Sequence, residues 1–184
     1  MDKLTRKDLY SLEKYSEMRS DFRTRIMQHK KNRRLPIGPN ATLYFEDRLT
    51  IQYQIQEMLR AEKIFEAGAI QEELDAYNPL IPDGRNWKAT FMIEFEDAEE
   101  RRRPAWLKVD ENDLIEPIYD EDMERHTEER TSAVHFMRFE LTDADVSALK
   151  QNAGLSAGIS HERYNYTVSP VPSAIRDALV ADLD

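Results

Sequence analysis

The chain has no cysteine and only five glycines among its 184 residues. The first absence excludes a disulfide framework, a thiol nucleophile, and cysteine-ligated zinc or iron–sulfur clusters. The second leaves neither a P-loop nor a GxGxxG turn, so a glycine-lined phosphate cradle is missing. No apolar run approaches the ~18–20 residues of a membrane helix. The charged opening MDKLTRKDLYSLEKY lacks the apolar stretch of a signal peptide. These absences predict a soluble, cytoplasmic protein without a membrane partner, in which the sequons Asn40-Ala-Thr and Asn165-Tyr-Thr are chance matches. What is present, 40% hydrophobic and 34% charged residues, suits one globular domain over residues 1–184.

The net charge of −10 is unevenly spread. Residues 1–34 hold eleven Lys/Arg against five Asp/Glu, and the other 150 hold fifteen against thirty-one. Such a basic arm can dock on its own acidic body, on a second copy, or on an acidic partner, and its own body is the simplest choice.

Thr5-Arg-Lys-Asp8 reads as a capping box for a helix to about Met18, and Ser20 as the cap of a second helix to about Asn32. Leu35–Pro39 breaks the chain, and Thr42–Phe45 is a short strand. A long central helix is predicted over 47–65, although Ile51, Tyr53 and Ile55 alternate with glutamines as in a strand. Its apolar residues form two stripes, one with Ile51, Ile55, Met58, Leu59 and Phe65, the other with Leu49, Tyr53 and Ile64. Two stripes predict packing on two sides, against a sheet and against another helix or subunit. Residues 70–77 form a short helix stopped by Asn78-Pro79, and Pro82-Asp83-Gly84 is a turn.

Strands follow. Trp87–Phe95 alternates, Trp106–Val109 and Leu114–Tyr119 resemble a hairpin, 120–130 is a loop or short helix, and Thr131–Leu141 is an interior strand. Thr142 caps a helix ending near Gly154, a last strand covers Tyr164–Val168, and a helix covers Ser173–Leu183. The predicted class is α+β: a largely antiparallel sheet over 87–168, packed by N-terminal helices, the central helix and two C-terminal helices.

Motifs with a mechanism are scarce. Gly154-Leu-Ser156-Ala-Gly158 matches GxSxG, but a nucleophile elbow needs a strand before the serine and a helix after it, and here a helix precedes it. His29, His126, His135 and His161 lie far apart and belong to no metal-binding spacing. The basic run His29–Arg34 lacks interleaved aromatics in an acidic chain, which argues against nucleic acid.

One polar constellation remains. Arg48, Gln52, Gln56 and Arg60 share one side of the central helix between its apolar stripes, and Glu57 lies on the other side. His135 shares a strand face with Ala133, Met137 and Phe139, and Arg138 shares the opposite face with Val134 and Phe136. Converging beside apolar walls, these seven side chains could line a pocket for a small anionic ligand. The competing reading is a satisfied core network.

The segments FEDRLTIQYQIQEMLRAEKIFE, QEELDAYNPLIPDG, KATFMIEF, EERTSAVHFMRFEL and GISHERY together resemble a bacterial family known as domain of unknown function 3501. The resemblance spans nearly the whole chain and departs around EERRRPAWLKV, where a loop after Phe95 is shortened. It carries over no established activity, catalytic residue or cofactor. It implies an accessory role in redox or stress metabolism, and with no cysteine in the chain any iron–sulfur cluster would belong to a redox partner.

Two functions of different class follow as expectations. One is a non-catalytic accessory or binding protein, a homodimer serving a redox partner. The other is a small enzyme or ligand-binding domain, metal-dependent or not, using Arg48, Gln52, Gln56, Glu57, Arg60, His135 and Arg138.

Overall fold

The computed structural model describes residues 1–94, 105–119 and 134–184. A 3₁₀ turn at Arg6–Asp8 leads into α1 (Leu12–Lys31), followed by β1 (Arg34–Pro36), β2 (Ala41–Phe45), α2 (Arg48–Glu62) and α3 (Ala67–Tyr77). After a second 3₁₀ turn at Asn78–Leu80 come β3 (Asn86–Ile93), β4 (Ala105–Val109), β5 (Leu114–Ile115), β6 (Ile118–Tyr119) and β7 (Val134–Glu140). The chain ends with α4 (Asp143–Lys150), β8 (Leu155–His161), β9 (Tyr164–Val168) and α5 (Ser173–Val180). The class is α+β, as predicted.

The strands form two antiparallel sheets where one was predicted. A five-stranded sheet runs β1-β2-β3-β7-β6, and a four-stranded sheet runs β5-β4-β8-β9. The predicted run Leu114–Tyr119 is divided between them: Leu114 pairs with Lys108 in the smaller sheet, and Tyr119 with Met137 in the larger. Pro117 lies at the division and has no N–H for a continuous ladder. The missed strand β8 is central to the smaller sheet. Its Ser, Ala and Gly residues carry little strand propensity, yet Leu155, Ala157 and Ile159 alternate into the core. A side chain at Gly158 would meet the Trp106 ring at 2.3 Å, so glycine is required there.

The two sheets face each other across one apolar cluster. Leu43, Phe45, Trp87, Phe91 and Phe139 enter it from the larger sheet, and Leu107, Val109, Leu155 and Ile159 from the smaller. Leu149, Ile175 and Leu179 of α4 and α5 join the cluster, and Trp87 Nε1 donates to the Leu179 carbonyl at 2.9 Å. Helices α2 and α3 pack with Phe136 on the other face of the larger sheet, and α1 packs on α2.

The N-terminal region departs from prediction. The two expected helices are one, α1, because nothing between Leu12 and Lys31 breaks it; Ser20 sits mid-helix, its carbonyl accepting from Thr24 Oγ1. Thr5 does form its capping box, but only over the short 3₁₀ turn, and Ser11 Oγ caps α1 by accepting from Lys14 N–H. The central helix is shorter than predicted: Asp47 and Thr50 cap its start, and Lys63 ends it at φ +57°. Leu35, placed in a chain break, is in β1; α4 stops at Lys150 rather than near Gly154, and α5 at Val180. Interior placement of β7 is as expected. Phe95, the segment 120–130, residues 131–133 and the loop after Phe95 lie outside the described residues.

Helix α2 packs on two sides. Ile51, Ile55 and Leu59 join Leu4, Leu74, Leu80 and Ile81, with Phe136 of β7 against them. Tyr53 joins Tyr15, Phe22 and Ile26 of α1, with Leu49 alongside. Phe65, assigned to the broad stripe, is 74% exposed because the helix ends before it, and Ile64 packs with the first cluster.

Candidate functional site

The polar stripe of α2 meets the chain's own N-terminal segment, residues 2–10. Arg48, Gln52 and Gln56 recur every four residues, so they stand in line along the helix. Arg48 Nε donates to the Asp2 carbonyl at 3.2 Å, and an Arg48 Nη to Asp8 Oδ1 at 2.6 Å. Gln52 Nε2 donates to the Asp8 carbonyl at 2.6 Å. Gln56, fully buried, accepts the Tyr10 N–H at 2.5 Å and donates to the Tyr10 carbonyl at 3.4 Å. A second carboxamide does the same at the other end: Asn78 accepts the Leu4 N–H at 2.8 Å and donates to the Leu4 carbonyl at 2.9 Å. Lys3 Nζ adds bonds to the carbonyls of Asn78 and Ile81. These contacts satisfy backbone groups that no strand partner takes up. The Asp8 carboxyl is lowered to about 2, first by hydrogen bonds from Thr5 and then by Arg48.

Next along the helix, Glu57 accepts from Tyr15 OH at 2.7 Å and from Arg19 Nε and Nη at 2.8 and 2.7 Å. The Arg19 bonds hold the Glu57 carboxyl below its usual range, and burial followed by Glu57 pushes the Tyr15 hydroxyl up. Arg60 is exposed and adds its field to Glu57. A second ionic joint lies at the far end of α1. Arg33 is only 5% exposed and grips both oxygens of Asp182 at 2.6 and 2.8 Å. Its Nε lies 2.8 Å from Asp47 Oδ2, and His29 Nε2 lies 2.5 Å from the same oxygen. Both joints dock the basic arm on its own acidic body, the simplest of the three choices its charge allowed.

The β7 residues of the expected pocket lie elsewhere. His135 is opposite Phe91 and shares the inter-sheet face with Met137 and Phe139, its ring 6.4 Å from that of Tyr119. Burial pushes the Tyr119 hydroxyl up. Arg138 is on the helix-facing side, exposed, opposite Lys88, and bonded to Glu140 at 2.8 Å. Sheet backbone therefore separates His135 from the α2 stripe. The seven residues are dispersed: Arg48, Gln52 and Gln56 at the N-terminal segment, Glu57 at the α1–α2 joint, Arg60 exposed beyond it, and His135 and Arg138 on opposite faces of β7.

A cleft of about 420 Å³ between the β4–β5 turn and α4 contains none of them; Glu111, Asp113, Glu116, Glu140 and Asp145 are among its lining residues. Among the described residues no group of three His, Asp or Glu is placed to hold a metal, and no helix is long and apolar enough to cross a membrane. Ser156 of GxSxG lies within β8, bonded to Ser169 Oγ at 2.8 Å, and is on no strained turn.

The chain matches, over residues 3–183, the family described as "Protein of unknown function (DUF3501)". It belongs to that family. It is also similar to a novel protein of unknown function from Burkholderia pseudomallei, whose crystal structure superposes with a TM-score of 0.90 at 45% identity over 100% of both chains. No protein of curated function matches it.

Membership in this family assigns no site, so the residues that matter follow from geometry. Sequence reasoning found the α2 stripe but not what fills it. It read Asn78 only as a helix stop, although its carboxamide is as closely engaged as that of Gln56. The Asn-Pro pair gave a reason for Asn78 that hid the second one: its partner Leu4 lies 74 positions away.

Proposed function

We propose that this protein is a non-catalytic accessory or binding protein that acts as a homodimer or within a larger protein complex. The observation behind this reading is the use of the α2 polar stripe. Arg48, Gln52 and Gln56 hold a peptide segment instead of walling a cavity, and Glu57 is taken up by Tyr15 and Arg19. Side chains whose hydrogen bonds are taken up by main-chain groups in this way suit recognition of polypeptide. Exposed apolar groups on the larger sheet agree with a binding role: Met92 and Val134 are opposite each other at 37% and 38% exposure, and Ile118 on edge strand β6 is 45% exposed. The redox or stress setting is an expectation that neither the family nor the similar solved structure, both described as of unknown function, supports.

Native mass spectrometry of protein purified from its own host, with elemental analysis of the same sample, tests the proposal. A homodimer or a protein complex free of stoichiometric metal or small molecule is expected. A monomer, with or without such a ligand, would overturn it.

A further inference from the structure

The N-terminal segment takes up three residues of the α2 stripe, Arg48, Gln52 and Gln56, and leaves the fourth. Arg60 stands one turn beyond Gln56, in line with it, and is exposed. Gln56 holds the backbone of Tyr10, and beside that contact the surface sinks into an open depression of about 460 Å³. Leu59 of α2, Ile70 of α3, and Leu9 and Tyr10 of the segment are its apolar walls. Leu59 is buried, whereas Leu9 and Ile70 are half-buried and Tyr10 is exposed, so apolar surface faces the hollow. Phe65, the most exposed large apolar side chain among the described residues, lies in the short link between the two helices that supply Leu59 and Ile70.

The charge at this place has one sign. Arg6 and Lys7 line the depression, and Arg60 follows Leu59 in α2. Among the described residues, none forms an ion pair or hydrogen bond with these three side chains. Asp8 and Glu57, the carboxylates beside them in the segment and in the helix, are held by Arg48 and by Arg19.

The neighbouring seat shows what such a combination receives. There Leu4 is buried in one cluster with Ile51, Ile55, Leu59, Leu74 and Ile81, and Asp8, four positions on, bonds Arg48 at 2.6 Å. One polypeptide thus brings an apolar side chain to a hollow and a carboxylate to the arginine beside it. Leu59 is common to both places, a member of that cluster and a wall of the depression. The open end of the stripe repeats the chemistry, with Arg60, Arg6 and Lys7 in the part of Arg48.

We propose that this depression docks an acidic segment of a partner protein. One apolar side chain of the segment seats against Leu9, Leu59 and Ile70, and carboxylates flanking it pair with Arg6, Lys7 and Arg60. Nucleic acid suits the place less well: it offers phosphates to the cations but no aliphatic side chain to the hollow, and the chain as a whole carries −10. The proposal rests on the binding-protein reading above and deepens it, naming where the partner is held and by what chemistry.

The test is an amide NMR titration of the full-length protein with the capped peptide Glu-Glu-Leu-Glu-Glu as probe. Shifts should concentrate at Leu9, Tyr10, Leu59 and Ile70 and saturate at millimolar peptide. Alanine in place of the peptide's leucine should weaken binding by at least about threefold, since apolar burial is lost. The protein variant Arg6→Glu with Lys7→Glu and Arg60→Glu should weaken it by roughly tenfold or more, the factor that ~1.4 kcal/mol supplies. All three side chains are exposed, so the fold should persist, and Arg60→Gln alone, with about a threefold loss, serves if it does not. Absence of localised shifts at millimolar peptide, or equal binding of the leucine and alanine peptides, would overturn the proposal. So would an oligouridylate or a phosphatidylserine vesicle that perturbs the same amides more strongly than the peptide, which would make the place a general anion or membrane contact. These outcomes concern the depression alone; the binding-protein reading stands or falls on the native mass of the protein from its host.

Discussion

The two faces of the five-stranded sheet are stabilised in different ways. Toward the smaller sheet, large side chains such as Trp87, Phe91 and Phe139 fill one continuous cluster with contributions from α4 and α5. Toward the helices there are two smaller clusters, one on each side of α2, and between them a set of directional polar links: Asn78 to Leu4, Gln56 to Tyr10, Glu57 to Arg19 and Tyr15. Close packing over a wide area makes every residue's loss felt by the whole. Links at separate points can open one at a time. On these grounds the inter-sheet side should unfold as the cooperative core, and the helical side should open first.

Four measurements can break or sharpen this contrast. Phe91→Ala removes a fully buried ring from the inter-sheet cluster and should lower global stability by about 3–5 kcal/mol in denaturant unfolding. Arg33→Ala leaves Asp182 buried without its cation and Asp47 with His29 alone, and should cost about 3 kcal/mol or more, because this joint between α1 and the end of α5 is as buried as the core. A loss under about 1 kcal/mol would place Arg33 with the exposed pairs instead. Leu4→Ala should cost about 2 kcal/mol, and the cost should appear as faster hydrogen exchange at the Leu4 and Tyr10 amides while the global unfolding midpoint moves little. A midpoint shift as large as that of Phe91→Ala would show that the segment unfolds with the core, and the contrast would fail.

The smallest effect expected is a pH effect. The Asp8 carboxyl is lowered from 3.8 to about 2, so its contribution is complete above the ordinary carboxylate range and is lost as pH falls through about 2. Acidification from pH 5 to pH 2 should therefore lower the protection factor of the Tyr10 amide, its exchange corrected for the intrinsic pH dependence, more in wild type than in Asp8→Asn. An equal fall in both would remove Asp8 from the anchoring of the segment.

Much of the architecture was legible in the residues. The twin apolar stripes of α2 predicted two-sided packing, and the alternation of Trp87, Ala89, Phe91 and Ile93 predicted a strand with one buried face. Family membership was likewise carried by recognisable segments. β8 was not legible, since a run of small residues becomes a strand only when neighbours on both sides complete its ladder. Nor was the division of 114–119 between two sheets.

For the candidate site, the sequence alone determined that Arg48, Gln52 and Gln56 would stand in line between two covered flanks, because a helix repeats every 3.6 residues or so and burial needs apolar stripes. Tertiary structure decided what they face. Side chains in line on a helix can surround a ligand or hold a chain segment equally well. Which occurs depends on a contact 46 residues away for Gln56 and 74 for Asn78, distances over which no local pattern carries information. His135 illustrates the same limit: alternation assigned it to a face, and only the stacking of the sheets determined that this face lies opposite the one that meets α2.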